Sequence, residues 1–351
     1  MRVAIVEFWP VHEEVVPSWV YFLNSFGIKP DVYINDRGIS EKGNIFDNFK
    51  ELYFNLRLIP LRSRENWKSL EGYIHDGKYD VIFINSFQTV GSGWASTLPG
   101  TKICLVHNVI EFYGNNMIFN LSGARKDIIL VTLSECAAKT LEALYKFRGV
   151  NKKVKSINAS YFQNKSAYIK TKKTNIGIVG GINFNNRDYG KLIHQLNKGF
   201  DSENIFFKLI GGGQDSKKLF NLIEENGLGS NFVFSAKDTA RSSYVNYFNG
   251  IKSCEYLITL FKPQTRYHYS SVSSVINFSL GFSVPLLQDS VTSQIYNVPG
   301  FNLDDFNASE IFNNLSKIDH LDYCKLRESV EACNRKKLDN SMESLKSMIF
   351  D

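Results

Sequence analysis

Short apolar runs separated by polar turns recur through the first 135 residues of the chain. Residues 3–8 form an apolar run of the length expected for a strand in a buried parallel sheet, and residues 17–26 follow the period of an amphipathic helix. Four later runs have the same strand-like character: 30–35, 79–85, 101–107 and 127–133. Strands that alternate with helices in this way predict a doubly wound α/β domain.

The alternation stops after Lys139 and resumes at Thr174. Between Lys139 and Lys173, ten Lys or Arg residues stand against one acid, Glu142. Beyond Thr174, five apolar runs alternate again with helical segments: 174–184, 206–213, 231–237, 254–261 and 283–289. The charged tail over residues 321–351 has a helical pattern. We therefore predict two doubly wound domains and a terminal helix, with these bounds: 1–165, 166–325 and 326–351.

Charge and cysteine content indicate the possible partners and the cellular location of the protein. The net charge is +6, and the cations gathered in residues 139–173 favour a polyanion or an anionic membrane surface as partner, with a solvated linker as the alternative. No nucleic-acid motif accompanies them, so we expect no nucleic-acid partner. The five cysteines are scattered, the N-terminus lacks a signal-peptide pattern, and no apolar run approaches the ~20 residues of a membrane span. We expect a cytoplasmic protein, for which peripheral contact with the inner face of the cell membrane stays open.

Two glycines end the first strand of the second half, and two cations follow them. Gly180 and Gly181 let the backbone approach a ligand closely, while Arg187 and Lys191 stand four residues apart and so share a helix face. Such a pair can clamp a diphosphate, with arginine as a fork and lysine as a point charge. The alternative is a plain turn followed by solvated charges. Gly212 is a further candidate, although its triple-glycine turn matches neither a dinucleotide fingerprint nor a P-loop.

A serine-rich turn precedes an apolar helix that ends before Pro285. Ser270, Ser271, Ser273 and Ser274 stand at the predicted N-terminus of this helix. Unpaired backbone N–H groups and the positive end of the helix dipole attract an anion at such a place. The alternative is ordinary N-capping by one serine. Four hydroxyl groups exceed what a cap requires, so the sequence predicts a phosphate-binding site here.

In their order, these segments resemble the nucleotide-binding domain of GT-B glycosyltransferases, especially those that build bacterial polysaccharides such as O-antigen and capsule. The matching segments between residues 174 and 290 are GIVGGINFNNRDYGK, FFKLIGGGQD, ENGLGSNFVF and SLGFSVPLL. The resemblance implies two Rossmann-like domains that face each other across a cleft, and a C-terminal helix that crosses back. It implies an acceptor-binding N-terminal domain and a C-terminal domain that binds the nucleotide sugar. Lys262 and Arg266 would then add positive charge near the leaving diphosphate.

In this fold the loops after the strands of the first domain face the cleft in which the reaction takes place. The loop after the first strand brings Glu7, His12, Glu13 and Glu14 near one another. We predict Glu13, Glu14 or His12 as the general base for an acceptor hydroxyl, and Glu14 also as an acceptor contact. His107 ends a strand and resembles the strand-end histidine that approaches the donor sugar in many relatives. Glu111 is a second predicted acceptor contact. The alternatives are a solvated acidic turn and a packed histidine bonded to the backbone.

The resemblance implies a hexosyltransferase that moves a sugar from a nucleotide-diphosphate donor to a lipid-linked glycan. No DxD-like acidic motif stands in a likely cleft position, and the one adjacent Asp pair, Asp304 and Asp305, lies in a late loop. Since cations and a helix start can stabilise the diphosphate, we predict that the enzyme needs neither a metal ion nor a cofactor. Where many retaining members carry a glutamate, the helix over 272–282 offers only Asn277 or Ser279, so the sequence leaves open whether configuration is retained or inverted. Two alternatives remain: a sugar-nucleotide 2-epimerase of the same fold, and a non-catalytic GT-B-like binding subunit.

Overall fold

A computed structural model describes residues 1–60, 64–88, 98–162, 173–234, 242–263, 265–304 and 308–350. The chain divides into two units. The first unit contains Met1–Phe162, Tyr269–Val272 and Lys337–Asp351, and the second contains Gln163–His268 and Ser273–Lys336. Each unit is built on one sheet.

A parallel sheet forms the centre of the first unit. Within the described ranges it has seven strands: β1 (Val3–Glu7), β2 (Asp31–Asn35), β3 (Asn55–Ile59), β4 (Val81–Ile84), β5 (Thr101–Leu105), β6 (Ile128–Thr132) and β7 (Val154–Ser156). Their order is β3-β2-β1-β4-β5-β6-β7, and all neighbours are parallel. Every residue of β1, β2 and β4 is buried, which is why their sequences are short apolar runs.

Helices connect these strands and complete the core of the first unit. They are α1 (Val16–Ser25), α2 (Asp36–Lys42), α3 (Arg64–Gly77), α4 (Val109–Gly114), α5 (Asn116–Ala124) and α6 (Glu135–Phe147). Four of them begin with a polar side chain that accepts a hydrogen bond from a first-turn N–H group; these caps are Asn35, Asn108, Asn115 and Ser134. The caps place each helix start directly after the end of a strand or helix, and so fix the loops that form the site.

A second parallel sheet forms the centre of the second unit. Its strands in the described residues are β8 (Thr174–Val179), β9 (Ile205–Ile210), β10 (Phe232–Phe234), β11 (Tyr256–Ile258), β12 (Leu286–Gln288) and β13 (Gly300–Asn302). Their order is β10-β9-β8-β11-β12-β13. The helices are α7 (Tyr189–Leu196), α8 (Ser216–Glu225), α9 (Tyr244–Lys252), α10 (Ser274–Phe282), α11 (Ser290–Tyr296), α12 (Ala308–Leu315) and α13 (His320–Phe350).

Helix α13 is 31 residues long and contributes to both units. In the second unit, the Tyr323 hydroxyl donates to the carbonyl oxygen of Glu255 at 2.8 Å. In the first unit, the backbone N–H of Asn158 donates to Ser341 Oγ at 2.8 Å, and Leu345 is fully buried. None of the helices within the described ranges combines the length and apolar character that crossing a bilayer requires.

The predicted α/β class with two doubly wound parallel sheets is confirmed. The sequence did not predict β3, β7 or β13. Strand β3 lies at the sheet edge, where four of its five residues are exposed or half-buried, and β7 and β13 have three residues each. Of the predicted features, residues 235–237 of one strand, much of the basic stretch (163–172) and Asp305 lie outside the described residues.

Candidate active site

The strand order of the first unit reverses between β1 and β4. From β1 the chain builds outward to β2 and β3, then returns to β4 on the other side of β1. In doubly wound sheets, ligands bind outside the carboxyl ends of the strands at such a point. Glu7 ends β1, Asn85 and Ser86 follow β4, and His107 follows β5. These residues form the core of the first candidate site.

Glu7 is a fully buried carboxylate in this site. Its Oε1 accepts a hydrogen bond from the backbone N–H of Trp9 at 2.7 Å, and its Oε2 accepts from the Ser86 hydroxyl at 3.0 Å and from the Asn85 side-chain amide. Burial raises the pKa of Glu7 to about 7, although the charge of His12 and the bonds from Asn85 and Trp9 act to lower it. This carboxyl group can therefore change its charge near neutral pH.

His107 is a buried, neutral imidazole. Its Nε2 lies 2.6 Å from the carbonyl oxygen of Asn85, and since a carbonyl only accepts, Nε2 carries the proton and Nδ1 the lone pair. Burial, with the charge of His12 as a second cause, holds the pKa of His107 well below its ordinary value. His107 is thus a packed histidine bonded to the backbone, and it also supports the ring of His12.

His12 is the accessible member of the cluster, with a side chain that is 31% exposed. Its ring stacks on that of His107, with centroids 3.8 Å apart and planes 10° apart, and its Nδ1 lies 3.9 Å from Glu14 Oε1. Burial alone would lower the pKa of His12, but Glu14, followed by Glu7 and Glu13, outweighs burial and raises it. An accessible imidazole among carboxylates can accept a proton and hold it.

Glu13 lies in a buried ion pair. Its Oε2 is 2.8 Å from Lys42 Nζ at the end of α2, and the Glu13 side chain is only 2% exposed. A Cβ atom at Gly38 of α2 would overlap Glu13 Oε1, so a larger residue there would force the Glu13 carboxylate to move. The charge of Lys42 balances that of the Glu13 carboxylate, and the carboxylate is buried away from solvent. Glu13 is therefore a weaker candidate for the base than His12. Its contacts brace α2 against the loop after β1.

Three other predicted residues lie around the start of α4. Glu111 is exposed in the first turn of α4, where its backbone N–H donates to Asn108 Oδ1 at 3.4 Å. The N–H of Val109 donates to the carbonyl oxygen of Ser270 at 2.9 Å, and Ser271 pairs with Asn108 in an antiparallel bridge. The sequence predicted both serines at the start of the serine-rich helix. The structure instead places them in the first unit, because their backbone pairs with the α4 segment.

A buried cation lies at the reversal point of the second sheet, between β8 and β11. Arg187 is 4% exposed; its Nη1 donates to the carbonyl oxygen of Thr259 at 3.4 Å and its Nη2 to that of Val179. Val179 ends β8 and Thr259 follows β11, so the guanidinium bridges two strand ends. No carboxylate of the described residues forms an ion pair with Arg187. A buried cation held by carbonyl groups, with donors left over from its five N–H groups, favours an anionic ligand.

Three predicted donor-binding residues meet at this point. A Cβ atom on Gly180 would lie 3.2 Å from Arg187 Nη2 and 3.7 Å from Ser274 Oγ. Gly211 has a φ of +122°, and a Cβ atom on it would lie 2.6 Å from the carbonyl oxygen of Gly180. Glycine is therefore required where the turns after β8 and β9 approach each other. Gly180, Arg187 and Ser274 form the second candidate site.

The close approach of these turns gives a testable stability effect. We expect Gly211→Ala to lower the free energy of unfolding by more than the about 1–3 kcal/mol that a strained backbone conformation costs, because the new methyl group also meets the Gly180 carbonyl. Gly199→Ala is the matched control, since Gly199 has a φ of +112° but nothing within 4 Å of an added Cβ. Denaturant unfolding of both variants measures the difference. If both variants lose the same free energy of unfolding, the close approach of the two turns does not contribute to the effect of Gly211→Ala.

The remaining glycine and serine candidates lie near this second site. The carbonyl oxygen of Gly212 accepts from the N–H of Ile182 at 3.3 Å, which joins the two glycine turns, and Gly181 is exposed beside them. Ser273 occupies the N-cap position of α10, but its side chain makes no capping hydrogen bond. The serine-rich turn thus supplies Ser273 and Ser274 to this helix start, whereas Ser270 and Ser271 belong to the first unit.

The other predicted cations are less buried than Arg187. Lys191 is exposed on α7 and lines a pocket together with Asp304. Burial acts to raise the pKa of Asp304, but hydrogen bonds from Ser290 and the charge of Lys191 outweigh burial and lower that pKa. Lys262 is half-buried and Arg266 is exposed. Solvent screens exposed charges, so each contributes less to an anion site than a buried guanidinium does. Arg187 is the strongest candidate for donor binding among the four.

Asn85 is the site residue that sequence reasoning did not name. Glu7 was placed near His12 from the sequence, but no role was predicted for it. The role of Asn85 depends on contacts with Glu7 and with His107, which no local pattern encodes. No group of three or more His, Cys, Asp or Glu side chains in the described part of the chain could hold a metal ion, and metal independence stays a prediction.

Comparison with known proteins identifies the fold. No family model matches the chain, and no curated protein sequence matches it. Among solved structures, HepE of Anabaena in complex with UDP and glucose superposes with a TM-score of 0.67 at 12% identity, over 99% of each chain. An alpha-glucosyltransferase in complex with UDP reaches 0.68 at 11% identity over 100% of both chains. The lipopolysaccharide outer core galactosyltransferase WaaB reaches 0.56 at 12% identity, over 98% of this chain and 100% of the other. The chain therefore has the fold of the GT-B glycosyltransferases.

Proposed function

We propose that the protein is a glycosyltransferase that moves a sugar from a nucleotide-diphosphate donor to a hydroxyl group of a glycan. The observation that carries this proposal is the accessible His12, stacked on His107 and surrounded by carboxylates, at the ligand-binding edge of a GT-B sheet. A transferase of this kind needs a group that takes the proton from the attacking hydroxyl. His12 is the one member of its cluster that combines access to solvent with carboxylates that stabilise its charged form.

Each residue of the first site has a different role in the proposed proton transfer. As the acceptor oxygen attacks the anomeric carbon, His12 takes the hydroxyl proton and becomes an imidazolium. Glu7 and Glu14 stabilise that positive charge. His107 keeps the His12 ring in place by stacking, and its own orientation is fixed by the bond to the Asn85 carbonyl oxygen. Direct attack with base assistance inverts the anomeric configuration, so this assignment includes inversion.

The second site would bind the donor diphosphate. Arg187, with N–H donors beyond those bonded to carbonyl groups, and the helix start at Ser274 offer positive potential beside the glycine turn at Gly180. These groups would stabilise the nucleoside diphosphate as its terminal phosphate takes the electron pair of the broken bond to the sugar and gains a further negative charge. We propose that they do so without a metal ion or cofactor.

The neighbours suggest the class of donor and acceptor. HepE and the alpha-glucosyltransferase were solved with UDP, and WaaB is a lipopolysaccharide galactosyltransferase. By this likeness we propose a UDP-hexose donor and a lipid-linked glycan acceptor in cell-surface polysaccharide synthesis. Such an acceptor would place the enzyme peripherally at the inner face of the cell membrane.

The decisive experiment compares reactions with and without an acceptor. The protein is incubated with UDP-glucose or UDP-galactose, first alone and then with a panel of oligosaccharides, and UDP release and glycan mass are measured. The proposal expects UDP release coupled to a hexose-mass increase in the glycan. Conversion of the donor to its epimer without acceptor would establish the 2-epimerase alternative, and absence of UDP binding in calorimetry would favour a non-catalytic subunit.

The pH dependence tests the partnership between His12 and Glu7. Since His12 acts as a base only when neutral, kcat/KM should fall as the pH drops through its raised pKa. Glu7→Gln removes a negative charge that favours the imidazolium, so the pKa of His12 should decrease and the acid limb of the profile should move to lower pH. Glu41→Gln, on the exposed face of α2, is the control. An unshifted limb in Glu7→Gln would remove Glu7 from this role.

A further inference from the structure

One surface of the first unit combines lysines with strongly exposed apolar side chains. Helix α6 packs Ala137, Leu141 and Tyr145 into the core. The helical period therefore turns Lys139 and Lys146 toward the opposite side, and both are exposed. A groove between this side of α6 and the loop that leads to β7 is lined by four lysines: Lys139, Lys146, Lys152 and Lys153.

The charge of this groove is only partly compensated. Lys139 pairs with Glu135 at 2.6 Å, and Lys152 Nζ donates to the carbonyl oxygens of Arg125 and Ile128 at 2.8 and 2.7 Å. Glu142 also lines the groove, but its Oε1 accepts from the N–H of Val154 at 2.9 Å. In the described part of the chain, Lys146 and Lys153 form no ion pair and are exposed. The surface keeps a net positive charge at its centre.

Two apolar side chains stand next to these cations. Phe147, the last residue of α6, is 81% exposed, and Met117 at the start of α5 is 63% exposed. Arg148 Nη2 donates to Asn116 Oδ1 at 3.3 Å, so a side-chain hydrogen bond joins the neighbours in sequence of Phe147 and Met117. Arg148 Nε also donates to the Tyr113 hydroxyl at 3.2 Å, and its guanidinium lies 5.1 Å from the centroid of the Tyr113 ring. An apolar pair flanked by cations is the pattern that binds at a membrane interface.

We propose that this surface docks the protein on an anionic lipid bilayer. Phe147 and Met117 enter the boundary between headgroups and acyl chains, while Lys146, Arg148 and Lys153 contact the lipid phosphates. The apolar pair decides between a bilayer and a nucleic acid, since a phosphate backbone would neutralise the cations but leave the Met117 thioether in water. The proposed function explains why the protein would bind a membrane, since its acceptor would be lipid-linked, and the inference rests on that function in this respect alone.

Vesicle binding without any sugar nucleotide tests the docking surface. The protein is sedimented with vesicles of phosphatidylcholine alone, or containing one third phosphatidylglycerol, at low and high salt. We expect binding to the anionic vesicles, weakened by salt, and at least about tenfold weaker binding by Lys146→Glu/Lys153→Glu, since each cation near such a surface contributes. Phe147→Ser should weaken the salt-resistant part of the binding.

A matched pair on another helix provides the control. Lys217→Glu/Phe220→Ser alters an exposed lysine and an exposed phenylalanine on α8 of the second unit, and it should bind as the unaltered protein does. Thermal midpoints establish that each variant is folded. Equal binding to neutral and anionic vesicles, unaltered binding by the Lys146/Lys153 variant, or binding to duplex DNA in place of vesicles would overturn the proposal. Vesicle binding by a protein that binds no UDP, or that converts the donor to its epimer without acceptor, would refute the proposed function and leave the docking surface in place.

Discussion

Replacing His12 with alanine is expected to lower kcat by about 100- to 10,000-fold, the range in which general-base catalysis contributes. The reason is that the acceptor hydroxyl would lose the accessible imidazole whose charged form Glu14 and Glu7 stabilise. Donor affinity should stay unchanged, since the donor diphosphate is assigned to the second site. Steady-state kinetics with saturating donor, and calorimetry with UDP, measure the two quantities separately.

Two further variants make this result specific. His75→Ala changes an exposed histidine on α3 and should leave kcat as it is. Glu13→Gln changes a carboxylate of the same loop as His12, but that carboxylate is paired with Lys42, so its substitution should lower thermal stability and leave kcat within a few-fold. If Glu13→Gln loses as much turnover as His12→Ala, the base is Glu13 and not His12.

Replacing Arg187 with methionine is expected to weaken UDP binding by roughly 10- to 150-fold, which corresponds to about 1.5–3 kcal/mol for hydrogen bonds to a charged group. Methionine fills a similar volume but offers no N–H donor for the diphosphate. Affinity for uridine, which has no phosphate, should be unchanged. Calorimetric titration with both ligands separates a lost phosphate contact from a general loss of the site.

The control for Arg187 lies one turn along the chain. Lys191→Met removes an exposed cation from α7 and should weaken UDP binding by much less, because solvent already screens that charge. Arg187→Met will also lower stability, since the carbonyl groups of Val179 and Thr259 lose a donor. Binding is therefore measured well below the melting temperature. Equal weakening for UDP and uridine would mean that Arg187 supports the fold and does not bind phosphate.

The fold was largely predictable because its central strands are buried on both sides. Strands such as β1 and β4 are fully buried, so their sequences are short apolar runs that no other element explains as well. Strand β3 escaped prediction for the opposite reason: it lies at the sheet edge and its side chains are mostly accessible. Strands β7 and β13 are too short for any period to be counted.

The candidate site was predictable only where position along the chain determines position in space. His107 closely follows a strand, and the carboxyl ends of parallel strands meet at one edge, so its placement could be inferred. Arg187 lies in the loop between the end of β8 and the start of α7, so the helix face that we predicted Arg187 to share with Lys191 is wrong. The different roles of Glu7 and Glu13 could not be inferred, because they depend on partners about 30 to 80 residues away: Lys42 pairs with Glu13 and Asn85 bonds to Glu7. The serine-rich turn misled for the same reason, since Ser270 is held by Val109.

The course of α13 has a consequence for how this protein reaches its folded state during synthesis. Residues from Lys337 onward belong to the first unit, where Leu345 is fully buried and the ring of Phe350 lies 5.9 Å from that of Phe26. A ribosome therefore has to release about the whole second unit before the first can complete its own core. Until then the nascent first unit exposes apolar surface that a chaperone can recognise.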